Sequence, residues 1–243
     1  MRRAALGLAL LLCVALPSQV SADPDVPSAA FVDGVVGYPQ ERALSCESRS
    51  AVDLAGFWGV DVAEDVFFGA LPRSDNPHEG FVGDVDDAPG SLPPGGYGVY
   101  AQPVANTLCR YGLDSNAHRW MGMERLRAEL AAGRPVVVWA TYDMLRPEID
   151  SWTAGDGSVS VIVQWEHSFI TVGYDADGVY LIDAYDGETS YYPTDQFIAA
   201  WMQLNEMAVT VSGRLEEPTY PWQEIRYAGF GGVSLGQGLT GPR

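Results

Sequence analysis

Apolar positions along the chain follow two different spacings, and their order predicts helices first and strands afterwards. Residues 44–58 carry apolar side chains at i, i+3, i+4 and i+7, which is the spacing of one buried helix face. We predict further helices at 63–71, 99–111, 123–132 and 194–203. Short apolar runs predict strands at 135–140, 159–163, 168–174, 179–183 and 207–211. The pattern is typical of an α+β fold with N-terminal helices packed on a mostly antiparallel sheet.

Both ends of the chain depart from this pattern. Arg2 and Arg3 precede a run of small and apolar residues that leads to Val20-Ser21-Ala22, which is the arrangement of a secretory signal peptide. The alternative is a retained N-terminal anchor, although the run is too short to span a bilayer as a stable helix. We therefore predict a signal peptide at 1–22, one domain at 23–212 and a Gly- and Pro-rich tail at 213–243. The mature protein is expected to be secreted, without a stable membrane anchor.

The charge of the chain limits its partners. The formal net charge is −18 at pH 7, and all 14 basic residues are arginine. Such an acidic surface repels phosphate backbones, so we exclude nucleic acid as a partner. We find no clustered Cys and His at metal-ligand spacing and no phosphate-binding glycine loop, and we predict neither a metal nor another cofactor. The oligomeric state stays open.

Cys46 lies in the first turn of the first predicted helix, with Ser45 as its expected N-cap. A helix N-terminus carries partial positive charge, which is expected to lower the pKa of a thiol and favour the reactive thiolate. From this position alone, a small buried core residue explains Cys46 equally well. Cys109 falls beside the apolar face of the 99–111 helix, and we interpret it as a core residue. A disulfide between the two cysteines is the alternative for an exported protein.

Three further residues complete a catalytic hypothesis around Cys46. Gln40 precedes it by six residues, and a fixed side-chain amide beside a nucleophile donates to the developing oxyanion. His167 begins an apolar strand, where its imidazole would take the thiol proton and later return it. Asp183 ends the next strand, so a hairpin would bring its carboxylate back beside the imidazole. Asp186, in the following loop, is the alternative acid. The chain has two other histidines, and we interpret both as surface or loop residues: His78 and His118.

Five segments in this order resemble the C39-like peptidase families, relatives of the peptidases that process bacteriocins at double-glycine leaders. They are YPQ with a cysteine six residues after its Gln, then DNPHEGFVG, AGRPVVVW, EHSFITVGYD and VYLIDAY, and the similarity covers about residues 31–211. The resemblance implies a papain-like fold in which Cys46, His167 and Asp183 form a catalytic triad and Gln40 contributes to the oxyanion hole. Family members often have proline after the acid, whereas this chain has Ala184.

We therefore predict a secreted thiol hydrolase, a cysteine peptidase that cleaves a peptide or protein substrate through an acyl-enzyme. The same triad would also serve an acyl-transfer enzyme, such as an amidase or a transglutaminase-like protein. A third hypothesis is a non-catalytic module that keeps the fold and binds peptides or cell wall. The bacteriocin processors are fused to a transporter and this chain carries none, so their cleavage specificity does not transfer.

Overall fold

The computed structural model describes residues 26–215, so the predicted signal peptide and most of the predicted tail lie outside the described residues. No helix in this part of the chain has the length and apolar character needed to cross a membrane. The five predicted helices are confirmed, each within a few residues of its expected ends. They are α1 (Cys46–Phe57), α2 (Glu64–Ala70), α3 (Ala101–Arg110), α4 (Met123–Ala131) and α5 (Thr194–Gln203).

Antiparallel strands form the central sheet. In chain order the strands are β1 (Ala30–Phe31), β2 (Leu113–His118), β3 (Val136–Thr141), β4 (Ile149–Thr153), β5 (Val159–Val163), β6 (Glu166–Tyr174), β7 (Gly178–Asp183), β8 (Thr189–Pro193) and β9 (Ala208–Arg214). The sheet has the order β2-β9-β3-β6-β7-β8, and β1 pairs with β6. β4 and β5 form a separate hairpin. The last strand continues to Arg214, two residues beyond the predicted domain end.

Four strands were not predicted from the sequence: β1, β2, β4 and β8. β1 has two residues, and the other three carry many polar or exposed side chains. Their apolar alternation is therefore weak, and backbone pairing with a neighbouring strand defines them instead. The five strands that the sequence predicts are all present, because apolar burial marks them in the sequence.

Apolar clusters cover both faces of the sheet. On one face, Val137 and Trp139 of β3 pack with residues of α1 and α3. On the other, Val136 and Val138 pack with residues of α4 and α5. Successive side chains of β3 thus point into the two clusters alternately. This alternation determines that one face of the sheet packs on α1 and α3 and the other on α4 and α5. The N-terminal helices lie on the face that carries Ile170 of β6.

Candidate active site

Cys46 is the first residue of α1 and is only 5% exposed. Its Sγ atom donates to Oε2 of Glu47 at 3.3 Å. Ser45 occupies the N-cap position, but its hydroxyl makes no capping hydrogen bond to α1. Instead, Ser45 Oγ accepts the N–H of Arg42 at 3.1 Å and donates to the carboxylate of Glu64 in α2. The predicted N-cap position is confirmed, but the side chain does not cap the helix, and Ser45 instead links the loop before Cys46 to α2.

Strands β6 and β7 bring His167 and Asp183 together. Asp183 pairs with Phe169 in the sheet register, and His167 lies two residues before Phe169 on the same face. Nε2 of His167 lies 2.6 Å from Oδ1 of Asp183, and both residues are buried. An ionised carboxylate only accepts hydrogen bonds, so Nε2 carries the proton and Nδ1 is the nitrogen left for another partner.

The turn after β7 holds the Asp183 carboxylate in place. Oδ1 also accepts the N–H of Tyr185 at 2.8 Å, and the carbonyl of Asp183 accepts the N–H of Gly187 at 2.8 Å. Asp186, the alternative acid, is exposed, and its Oδ1 accepts the N–H of Glu188 within the same turn. Of the two predicted acids, Asp183 is thus the one that contacts the imidazole.

Gln40 lies beside the same turn, because its N–H donates to the carbonyl of Ala184 at 2.8 Å. Its side-chain Nε2 donates to the carbonyls of Arg42 at 2.7 Å and Ala43 at 2.9 Å. Both amide hydrogens are therefore engaged by the loop that leads into Cys46. The Gln40 side chain stabilises this loop. To donate to an oxyanion, its amide must first break its hydrogen bond to the carbonyl of Arg42 or of Ala43.

A cavity of about 250 Å³ brings three of the predicted residues together: Cys46, His167 and Gln40 line it. Aromatic side chains provide much of its wall, and among these Trp165 is 36% exposed. The long 72–98 loop closes one side, where a Cβ on Gly90 would lie 2.9 Å from the Trp165 ring. Pro89, Gly90 and Tyr97 of this loop all line the cavity.

Two glutamates beside the thiol were not identified by the sequence analysis as site residues. One side-chain ligand atom from each of Cys46, Glu47 and Glu166 lies within 4.8 Å of the others. Glu47 Oε1 accepts the N–H of Val99 at 2.6 Å. Both carboxylate oxygens of Glu166 are buried and have no hydrogen-bond partner within residues 26–215. Local sequence gives no signal for this cluster, because an acid in a first helical turn and a polar residue at a strand start are both common.

These carboxyl groups change the expected electrostatics of the thiol. Burial raises the pKa of Cys46 well above its ordinary value, and the charges of Glu47 and Glu166 raise it further. Burial also raises the pKa of Glu47, and burial together with the charge of Glu47 raises the pKa of Glu166. The expectation of a lowered thiol pKa is thus wrong for the free protein, because desolvation and two neighbouring acids outweigh the helix N-terminus.

The remaining cysteine and histidines lie away from this cavity. Cys46 and Cys109 are both free thiols, so the alternative disulfide is absent between them. Cys109 Sγ lies 3.1 Å from the hydroxyl of Ser115, where α3 packs on β2. His118 Nε2 bonds a hydroxyl of the neighbouring strand β9, and His78 packs edge-on to a tyrosine ring. Neither histidine lines the cavity that contains Cys46.

Known proteins share the family and the fold of this chain. Residues 32–209 match the model of the Peptidase_C39 like family. The uncharacterized protein YvpB of Bacillus subtilis (strain 168) is 25% identical over 177 residues, which are 68% of this chain and 68% of that protein. The "putative C39-like peptidase" from Bacillus anthracis has a TM-score of 0.69 and 23% identity, covering 78% of this chain and 100% of its own. Xylellain, a cysteine protease from Xylella fastidiosa, has a TM-score of 0.45 and 15% identity, covering 79% and 88%. The papain-like α+β fold predicted from the sequence is confirmed.

Proposed function

The chain belongs to the Peptidase_C39 like family, and we propose that it is a cysteine peptidase with Cys46 as nucleophile, His167 as base and Asp183 as the orienting acid. The observation that carries this proposal is the 2.6 Å contact between His167 and Asp183, in a histidine that lines the same cavity as Cys46. A carboxylate on Nε2 fixes the tautomer and orientation of the ring and stabilises its charged form.

The reaction follows from these roles. Nδ1 of His167 accepts the thiol proton, and the Cys46 thiolate forms a bond to the carbonyl carbon of the substrate peptide. The C–N bond then breaks, and the imidazolium returns its proton to the leaving amine. Water, deprotonated by the same imidazole, attacks the thioester and releases the new carboxyl terminus. The thiolate takes back the proton, which restores the Cys46 thiol.

The thiol must leave Glu47 to enter this cycle. In the free protein the Sγ proton is shared with the Glu47 carboxylate. Because burial disfavours an isolated thiolate, we propose that Cys46 stays protonated until its side chain turns towards His167. Apo hydrogen bonds at catalytic sites are often rearranged in this way when substrate binds.

The negative oxygen of the tetrahedral intermediate needs hydrogen-bond donors. We assign this role to the backbone N–H of Cys46 and to the Gln40 amide, after a substrate oxygen replaces one of its two backbone acceptors. Gln40 and Cys46 both line the cavity, and a short loop joins them.

A peptide-library digest tests the proposal. We expect residues 23–243 to generate new peptide N-termini, and we expect Cys46→Ala to generate none because the acyl-enzyme cannot form. Cys109→Ser is the matched control, since Cys109 lies outside the cavity, and it should cleave as the wild type does. Cleavage that persists in Cys46→Ala would contradict the assignment.

The same digest separates the alternative functions. A peptidase releases free carboxyl termini even when a primary amine is added, whereas an acyl-transfer enzyme incorporates the amine into the product. A binding module would retain peptides without turnover, equally well in Cys46→Ser. We expect free acids as the main products.

We also propose that the protein is exported. The support is the predicted signal peptide, with its two N-terminal arginines and its Val20-Ser21-Ala22 cleavage signal. N-terminal sequencing of protein recovered outside the producing cells should begin at residue 23. Protein that keeps Met1 and stays inside the cells would contradict export.

A further inference from the structure

Cys46, Glu47 and Glu166 form a buried cluster whose two carboxyl groups take no chemical step in the cycle described above. It lies where α1 begins and β6 begins, at the thiol end of the cavity. Three potential ligand atoms, one sulfur and two carboxylate oxygens, lie within 4.8 Å of one another. Glu47 and Glu166 are separated by more than a hundred residues in sequence, and the packing of α1 on β6 brings them together.

The spacing of the Cys46 and Glu47 ligand atoms fits one small cation. Zinc binds thiolate at about 2.3 Å and carboxylate oxygen at about 2.0–2.2 Å, so two ligands of one tetrahedral ion lie about 3.5 Å apart. Sγ of Cys46 and Oε2 of Glu47 are already 3.3 Å apart. A sulfur and two oxygens with one open position form a donor set that suits a borderline-soft divalent ion.

Glu166 provides the second, independent observation. Its two carboxylate oxygens are buried, yet neither has a hydrogen-bond partner among the described residues. A buried carboxylate normally has a compensating charge or donor, because its desolvation is costly. The backbone of Gly98 lies close to both acids, since a Cβ there would lie 2.6 Å from Glu166 Oε2 and would also clash with Glu47 Oε1. The two carboxylates therefore share one small region beside the Gly98 backbone, which suits a single ion.

We propose that Cys46, Glu47 and Glu166 bind one thiophilic divalent cation of the zinc class and that the bound ion holds the thiol inactive. The Cys46 thiol and any carboxyl group that is still protonated lose their protons to solvent as the metal binds, and with all three groups ionised the cluster charge changes from −3 to −1. Metal binding does not depend on the proposed peptidase function, whereas its inhibitory consequence rests on it.

Cobalt(II) titration of the reduced, chelator-treated full chain tests the site. A thiolate ligand gives an intense sulfur-to-cobalt charge-transfer band in the near ultraviolet, and added Zn²⁺ should displace the cobalt at one ion per chain. We expect no such band in Cys46→Ser and at least about tenfold weaker Zn²⁺ binding in Glu166→Gln and in Glu47→Gln. Glu124→Gln is the matched control, since Glu124 is an exposed acid in α4, and its affinity should be unchanged.

A second measurement uses the unmodified chain and so does not depend on the folding of a variant. Zn²⁺ should protect Cys46 from alkylation, and a chelator should restore its labelling, while Cys109 labels at the same rate throughout. Absence of the cobalt band together with unprotected Cys46 would overturn the proposal and leave a proton shared between the two carboxyl groups as the explanation. A band that survives both glutamine substitutions but is lost in His167→Ala would overturn it too, because the ion would then lie between Cys46 and His167.

None of these readouts requires turnover. Failure of the cleavage assay would therefore refute the proposed function and leave the metal site standing. Loss of the cobalt band with normal peptide cleavage would refute the metal site alone.

Discussion

Nε2 of His167 and Oδ1 of Asp183 lie 2.6 Å apart across two paired antiparallel strands. The sheet register places both side chains on one face, and the N–H of Tyr185 holds the same carboxylate oxygen from the other side at 2.8 Å. The imidazole is thereby oriented by two strands and a tight turn, which are rigid compared with a loop. Because Asp183 is held so closely against His167, substitution of Asp183 tests the proposed role of the imidazole.

Removal of the negative charge of Asp183 should lower catalytic activity. We expect Asp183→Asn to lower kcat/KM by about 10- to 100-fold, because a hydrogen bond to a charged group is worth roughly 1.5–3 kcal/mol. Asp186→Asn makes the same chemical change at an exposed position three residues away and should leave kcat/KM unchanged. Equal losses in the two variants, measured with one peptide substrate, would show that Asp183 does not act on His167.

The turn that follows Asp183 depends on a glycine. Gly187 has a φ of +78°, and a Cβ there would lie 2.8 Å from the backbone of Tyr38. Gly187→Ala should therefore lower the free energy of unfolding by more than the roughly 1–2 kcal/mol that left-handed backbone alone costs a side chain. It should also lower kcat/KM, since the turn carries the acid.

Gly34→Ala is the control for that substitution, because Gly34 has a similar φ of +88° and open space around it. In urea unfolding, Gly34→Ala should lower the free energy of unfolding only by the roughly 1–2 kcal/mol that left-handed backbone costs a side chain. Its activity should be unchanged. A Gly187→Ala protein as stable and active as Gly34→Ala would contradict the role of the turn.

Gln40 should matter for the rate of acylation. We expect Gln40→Ala to lower kcat by about 10²- to 10³-fold with little change in KM, which is the usual cost of removing one oxyanion donor. Thermal unfolding of the same variant reports its second role, since the amide also bonds the carbonyls of Arg42 and Ala43. A variant that melts earlier but keeps its kcat would assign the amide to the loop alone.

His78 makes stability depend on pH. Burial, together with the charge of Arg119, lowers its pKa to about 4 from an ordinary value of 6.5. The folded protein therefore favours the neutral ring, so this contribution is complete above pH 6.5 and is lost as the pH falls towards 4. In urea unfolding, His78→Gln should lose less stability than the wild type across that window. Parallel curves for the two proteins would contradict this.

The sequence predicts the parts of the fold that apolar burial determines. The five helices and the strands β3, β5, β6, β7 and β9 all carry a clear apolar pattern, and all are present. The polar strand β2 was missed because its place depends on pairing with β9, which lies far along the chain. Cys46 and His167 were found because each begins a predicted element, and that position is visible locally.

The surroundings of the thiol were not predictable in the same way. The sequence does not mark Glu47 as a site residue, and Glu166 appears in it only as part of the EHSFITVGYD motif. Their approach to Cys46 results from the packing of α1 against β6, where Ser50 and Ser168 also meet at 3.0 Å. The reversal of the expected thiol pKa follows from this packing, because desolvation is a property of the tertiary structure.

The rate of Cys46 alkylation in wild type and in His167→Ala tests the central claim most directly. Chelator-treated protein at neutral pH is treated with iodoacetamide, and labelling of each cysteine is followed by mass spectrometry, with Cys109 as the internal reference. The pairing of Cys46 with His167 predicts that Cys46 labelling slows at least about tenfold in His167→Ala, because the buried thiol loses its proton acceptor. Cys109 should label at the same rate in both proteins. An unchanged rate at Cys46 would contradict the claim that His167 activates this thiol.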